Sequence, residues 1–251
     1  MFFDYCGNKI YYNEIANKSL KNPQTIVFLH GWGSDSSVFY WIISNLSQRF
    51  RCLLVDFMGF GKSEIPKTAV SVENQAEMVL ALCNYLEIKK FHILSHSYGG
   101  RVSFSLMSRK NSRVLSALLV SPAGIKDKNL KKSVKIALFK LRKRLTKKQN
   151  IKKLEKYYSE DYKNATGVMK ETFRLAISRD QTFQLADIKC KTLIVRGNKD
   201  TAISKKVVKK IINKVKNSSS VEIDGTHFSF LESPLQFKML AENFFTNAKN
   251  G

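Results

Sequence analysis

The chain has 251 residues, 43% of them hydrophobic, with a formal net charge of +23 at pH 7. That length suits one domain, able to bury roughly three-quarters of its unfolded surface without a stapling disulfide. No apolar run approaches the roughly 18 residues of a membrane span, the N-terminus lacks the basic and apolar regions of a secretory leader, and the widely spaced Cys6, Cys52, Cys83 and Cys190 form no C-x-x-C pair and read as reduced thiols of a cytoplasmic protein.

The chain opens on Phe2-Phe3-Asp4-Tyr5 and a second extended run over 9–15, a hairpin with Gly7-Asn8 at its turn. Thr25-Ile26-Val27-Phe28-Leu29 is an apolar, β-branched run and predicts a buried strand over 25–30. Further strands are expected near 51–56, 91–95, 114–120, 191–196 and 220–224, with helices near 37–48, 72–87, 98–109, 204–216 and 233–247. Strands alternating with helices imply an α/β fold, a mostly parallel eight-stranded sheet covered on both faces, with the antiparallel hairpin at one edge.

Residues 124–189 break this rhythm and carry no buried-strand pattern. Val134, Leu138, Leu141 and Leu145 recur there at helical spacing, one apolar stripe among dense charge. Fourteen Lys and Arg residues stand between 126 and 156 against Asp127 and Glu155. A lysine-rich, solvated surface explains such charge, and the lysines at 205, 206, 209, 210, 214 and 216, far away in sequence, fit that explanation. The alternative is an electrostatic footprint for an acidic partner. No nucleic-acid-binding module is recognisable.

Three stretches carry chemistry in a fixed order: Ser95-His96-Ser97-Tyr98-Gly99-Gly100, then Gly197-Asn198-Lys199-Asp200, then Gly225-Thr226-His227-Phe228. A serine hydroxyl is a weak nucleophile until a base takes its proton and a third group orients that base. Order Ser…Asp…His is the one expected of a triad on an open α/β sheet. The strand over 91–95 must reverse into a helix within a few residues, so small residues are needed around Ser97. Ser97, two residues before Gly99, is favoured over Ser95, although Ser95 stands where G-x-S-x-G has glycine. Among the four histidines only His227 lies beyond the candidate acid Asp200; Asp224 is the second candidate acid. His30-Gly31-Trp32-Gly33 follows the strand over 25–30 and lets the backbone approach a substrate, so the N–H groups of Trp32 and Tyr98 are candidate oxyanion donors. His30, His92 and His96 read as structural.

On these motifs, and on Asp56-Phe57-Met58-Gly59-Phe60-Gly61-Lys62-Ser63, which is similar to the D-x-x-G-x-G-x-S loop, the chain resembles the α/β-hydrolase family, of the single-domain lidded kind. The resemblance implies a core of 1–123 and 190–251 with a helical cap inserted at 124–189. It makes Ser97 the nucleophile, Asp200 the orienting acid and His227 the general base, and leaves the Asp56–Ser63 loop as support for the site floor. Phe228, Leu138 and Leu141 would line the substrate pocket. The implied reaction is hydrolysis of a carboxylic ester or thioester with no metal or organic cofactor. His30-Gly31-Trp32-Gly33 and the basic cap also resemble the esterases that cleave pimeloyl-acyl-carrier-protein methyl ester. That resemblance implies acyl carrier protein as partner; the basic amphipathic stretch by itself also suits an anionic membrane surface. Carbon–carbon hydrolases of dienoates carry Trp after the histidine where this chain has Phe228. Acyltransferases, cofactor-free haloperoxidases and non-catalytic receptors share the scaffold.

Overall fold

The computed structural model describes residues 1–127 and 165–249. Leu138, Leu141 and the lysine-rich stretch over 128–156 lie outside the described residues. Eight strands form one sheet: β1 (Phe2–Tyr5), β2 (Asn8–Ile15), β3 (Thr25–Leu29), β4 (Arg51–Val55), β5 (Phe91–His96), β6 (Val114–Val120), β7 (Lys191–Gly197) and β8 (Ser218–Ile223). Their spatial order is β1-β2-β4-β3-β5-β6-β7-β8. The first two strands join antiparallel, and every pair from β4·β3 to β7·β8 is parallel. The eight expected strands are all present, within two residues of their expected bounds.

The hairpin turn is a correction. Tyr5 pairs directly with Asn8, so the two-residue loop is Cys6-Gly7, not Gly7-Asn8. Both loop residues have positive φ, 52° and 75°, as a type I′ turn requires. Asn8 already belongs to β2. Its amide donates to the Tyr5 and Cys6 carbonyls at 3.4 and 3.3 Å, which holds a non-glycine residue in the left-handed region.

Strand alternation sorts the core onto two faces. Val27, Leu29, Leu53, Val55, Ile93 and Leu119 point one way, towards α2 (Val72–Tyr85), α3 (Tyr98–Met107) and α5 (Lys205–Lys214). Ile26, Phe28, Leu54, Leu94, Leu118 and Val120 point the other way, towards α1 (Tyr40–Leu46), α6 (Ser229–Glu232) and α7 (Pro234–Lys249). Phe28, Phe91, Phe104, Phe230, Phe237 and Phe245 are each at most 1% exposed, and full burial of one such ring stabilises by roughly 1.5–3 kcal/mol. The expected single helix over 37–48 is split. A 3₁₀ turn, Ser36–Phe39, precedes α1, and the Asp35 carboxylate caps that turn through Ser37 N–H.

Within the interval expected to be a cap, the described residues form α4 (Gly167–Ser178) and a 3₁₀ stretch, Gln181–Asp187. The Gln181 N–H donates to the Gly124 carbonyl at 2.9 Å, so the chain returns to the point it left. Thr172 Oγ1 accepts from Val70 N–H at 3.2 Å. The Arg179 guanidinium pairs with Glu73 on α2 at 2.7 Å.

Candidate active site

Because β3, β5, β6, β7 and β8 are parallel, the segments that follow them meet at one edge of the sheet. That edge, beyond the carboxyl ends of the strands, is where open α/β sheets bind ligands. Ser97 follows β5, His30-Gly31-Trp32 follows β3, Asp200 follows β7 and His227 follows β8.

Ser97 sits at φ 49°, ψ −107°, a sparsely populated conformation for a side-chain-bearing residue. Three backbone hydrogen bonds hold it there. Ser97 N–H donates to Val120 O at 3.0 Å, and its carbonyl accepts from Gly100 and Ala123, each at 2.9 Å. This is a strained strand-to-helix turn of the kind that can lift a side chain off the sheet edge. Gly99 permits it. A Cβ there would stand 2.2 Å from the Leu29 carbonyl oxygen, a backbone atom of the neighbouring strand. Ser95, the rival, is completely buried in β5 and shares a 3.0 Å hydrogen bond with Ser103, whereas Ser97 is half-buried.

The Asp200 carboxylate is fully buried, and Oδ2 stands 3.1 Å from His227 Nδ1. Oδ1 accepts from the N–H groups of Ala202 and Ile203 at 2.7 and 3.0 Å. Burial alone would raise the Asp200 carboxyl. The hydrogen bonds from His227 and Ile203 outweigh it and hold the group well below the usual carboxylate range. Asp224, the second candidate acid, is exposed and pairs with Lys199 at 3.0 Å. The structure therefore brings Asp200, and not Asp224, to His227.

The other histidines have definite tautomers. His30 Nε2 lies 3.1 Å from the Phe57 N–H and must accept, so Nδ1 carries the proton and donates to Gly31 O at 2.7 Å. Burial keeps this ring neutral by lowering its pKa. The bond to Gly31 holds the backbone leading into Trp32, and the bond from Phe57 ties it to the segment after β4. A Cβ on Gly31 would lie 3.6 Å from Ser97 Cβ, so this loop runs directly beside the serine. His96 Nε2 donates to the backbone carbonyl of His227 at 3.0 Å, and burial followed by the nearby His227 pushes its pKa down to about 3. His92 bonds Ser116 and Gln24, away from the sheet's carboxyl edge. The Asp56–Ser63 loop is internally braced. Asp56 accepts from Ser36 and Lys62 N–H at 2.8 and 2.9 Å, and Ser63 Oγ donates to Asp56 O at 2.7 Å.

Aromatic rings cluster around Trp32. Trp32 meets Tyr98, Phe60 and Phe173 edge-on at 5.3, 4.8 and 4.8 Å, which sets α4 against the Trp32 loop. Phe228 is 45% exposed, with its ring 4.9 Å from His96 and 5.6 Å from His227. His96, read as structural, ties the serine's strand to the histidine's loop. One position lies outside the sequence reading: Arg196 of β7 binds the loop that carries Asp200. Only the burial of Arg196 within an apolar strand could have singled it out. Among the described residues no group of three or more His, Cys, Asp or Glu side chains is placed to hold a metal ion.

Residues 24–134 match a family model described as the alpha/beta hydrolase fold. Over 133 residues the chain is 35% identical to the mesoderm-specific transcript homolog protein of Homo sapiens, covering 49% of this chain and 39% of that protein. Over 123 residues it is 28% identical to the uncharacterized hydrolase YugF of Bacillus subtilis, covering 49% of this chain and 44% of that protein. The matches thus span less than half the length of these curated relatives. The whole fold is shared more widely. The enol-lactonase of Burkholderia xenovorans LB400 superposes with a TM-score of 0.77 at 22% identity, covering 98% of this chain and 100% of that one. An esterase from Exiguobacterium antarcticum gives a TM-score of 0.74 at 21% identity, covering 99% and 98%. By its sheet, by the turn that presents Ser97 and by these likenesses, the chain has the α/β-hydrolase fold.

Proposed function

We propose that this chain is a serine hydrolase that cleaves a carboxylic ester or thioester through an acyl-enzyme. The observation that carries the reading is the 3.1 Å contact of His227 Nδ1 with the buried Asp200 carboxylate, on the same sheet edge as the strained Ser97. Asp200 fixes Nδ1 as the protonated nitrogen, which leaves Nε2 free to accept the Ser97 proton. As Oγ attacks the carbonyl carbon, the N–H groups of Trp32 and Tyr98 take up the developing negative charge. His227 then protonates the leaving group. A water deprotonated by the same nitrogen releases the acid.

The enol-lactonase and esterase named among the neighbours support a small carboxylic ester as the substrate class. Residues 124–189 act as a cap, supported by the Gly124–Gln181 closure and by α4 against Trp32. Phe228, beside His227, lines the entrance. The four free cysteines support a reducing, cytoplasmic setting. Acyl carrier protein or an anionic membrane as partner of the basic stretch rests on charge alone. A carrier-linked substrate whose kcat/KM falls with salt, beside a free ester whose kcat/KM does not, would support it; parallel behaviour would remove it.

Turnover of chromogenic acyl esters of graded chain length tests the reading. Wild type and Ser95→Ala should hydrolyse at least one ester with a burst of released alcohol. Ser97→Ala should show neither burst nor turnover.

A further inference from the structure

The loop that carries the candidate acid is built around one buried cation. Arg196, the penultimate residue of β7, is 5% exposed. Its guanidinium makes three hydrogen bonds in three directions. Nε donates to the Ile203 carbonyl at 2.7 Å, Nη2 to the Asp200 carbonyl at 2.6 Å, and Nη1 to Glu222 Oε1 at 2.6 Å. The first two partners belong to the same loop whose N–H groups at 202 and 203 hold the Asp200 carboxylate. That loop is therefore folded around the guanidinium on one side and around its own carboxylate on the other.

The third bond anchors the arrangement. Arg196 and Glu222 are register partners on adjacent parallel strands, β7 and β8. Glu222 is itself held by Lys205 at the start of α5, at 2.8 Å. β8 leads directly to His227. One carboxylate thus fixes the guanidinium relative to the strand that delivers the histidine, and the guanidinium fixes the loop that delivers the acid. Only a planar fork of donors can serve three acceptors in this way; a lysine ammonium presents a point charge on a flexible stem.

We infer that Arg196, clamped by Glu222, is a positioning residue that sets the distance between Asp200 and His227. The inference rests on the triad reading above. Arg196 makes none of its three bonds to His227 or Ser97, so it acts through the Asp200–Ile203 loop and its tie to β8.

The test compares Arg196→Met, Arg196→Lys and Glu222→Gln, alone and with Asp200→Asn. Ester kinetics form one arm. Amide exchange at Ala202 and Ile203, with the NMR signal of the His227 Nδ1 proton, forms the other. Arg196→Met should lower kcat by about 10- to 100-fold, the scale of a misplacement near 1 Å, with KM within about twofold. Arg196→Lys should recover little of that loss. Added to Asp200→Asn, Arg196→Met should cost nothing more, since residues that act as a unit are not additive. Glu222→Gln, on the partly exposed side, preserves the fold and should show the same signs more weakly, should Arg196→Met fail to fold. In each single variant the two amides should exchange faster and the Nδ1 signal should broaden. Unchanged exchange and an unchanged Nδ1 signal would overturn the inference, as would a full additive loss on top of Asp200→Asn. If wild type turns over no ester, the hydrolase reading fails separately, and the exchange arm still decides what Arg196 holds.

Discussion

His96 and His227, 131 residues apart in the chain, are joined by a 3.0 Å hydrogen bond from the His96 ring to the His227 carbonyl. The residue before the serine thus steadies the backbone of the residue that would activate it. Burial keeps the His96 ring neutral. Burial, reinforced by His227, places the His96 pKa at about 3, against about 6.5 in an unfolded chain. Between those values the unfolded state binds the extra proton, so stability is full above about pH 6.5 and declines as pH falls towards 3. The slope from this group approaches about 1.4 kcal/mol per pH unit. His30, lowered by burial in the same direction, steepens it. Thermal unfolding from pH 7 to 5 should show a falling Tm, and His96→Asn, which keeps a donor but cannot titrate, should flatten the fall. A wild-type Tm that is constant over that range contradicts this account.

The choice of acid has its own test. Asp200→Asn should lower kcat by several orders of magnitude, since the equivalent change in a serine protease costs about 10⁴-fold. The fold should survive, because the amide can still accept from Ala202 and Ile203. Asp224→Asn, which disturbs exposed contacts with Lys199 and Asn198, should stay within about twofold of wild type. The reverse ranking would show that the wrong aspartate has been assigned.

Gly99 offers a stability test with a backbone cause. An added methyl at 2.2 Å from the Leu29 carbonyl oxygen has no flexible neighbour to displace. Gly99→Ala should therefore destabilise by at least the roughly 1–3 kcal/mol of an overpacked core. Tm should fall by about 2–4 °C per kcal/mol. A Tm equal to wild type would mean that the turn and β3 are not in contact as described.

The fold was largely readable because its signals are local. Runs such as Thr25–Leu29 and Phe91–Leu94 carry the apolar pattern of strands buried on both faces, and Gly99-Gly100 marks a turn whose crowding small residues alone can satisfy. What escaped reading depends on register. Nothing in the sequence shows that Arg196 faces Glu222, because that pairing follows from how β7 lies against β8. The bond from His96 to His227 likewise exists only once two distant strands end on one edge. The hairpin turn was misplaced by one residue because Gly7-Asn8 looks like turn chemistry. The side chain of Asn8 in fact satisfies carbonyls of a loop centred on Cys6-Gly7. The break between the Ser36–Phe39 turn and α1 was hidden in a run with continuous helical periodicity.

The central claim is that Ser97 is an activated nucleophile, and covalent labelling tests it without knowledge of the natural substrate. The protein would be treated with a fluorophosphonate and the modified peptide mapped by mass spectrometry, beside Ser97→Ala, Asp200→Asn and heat-unfolded controls. The account predicts one adduct on Ser97, slowed in Asp200→Asn and absent from Ser97→Ala and from the unfolded chain. An adduct on Ser95, or no reaction in the folded wild type under conditions that label a reference serine esterase, would contradict it.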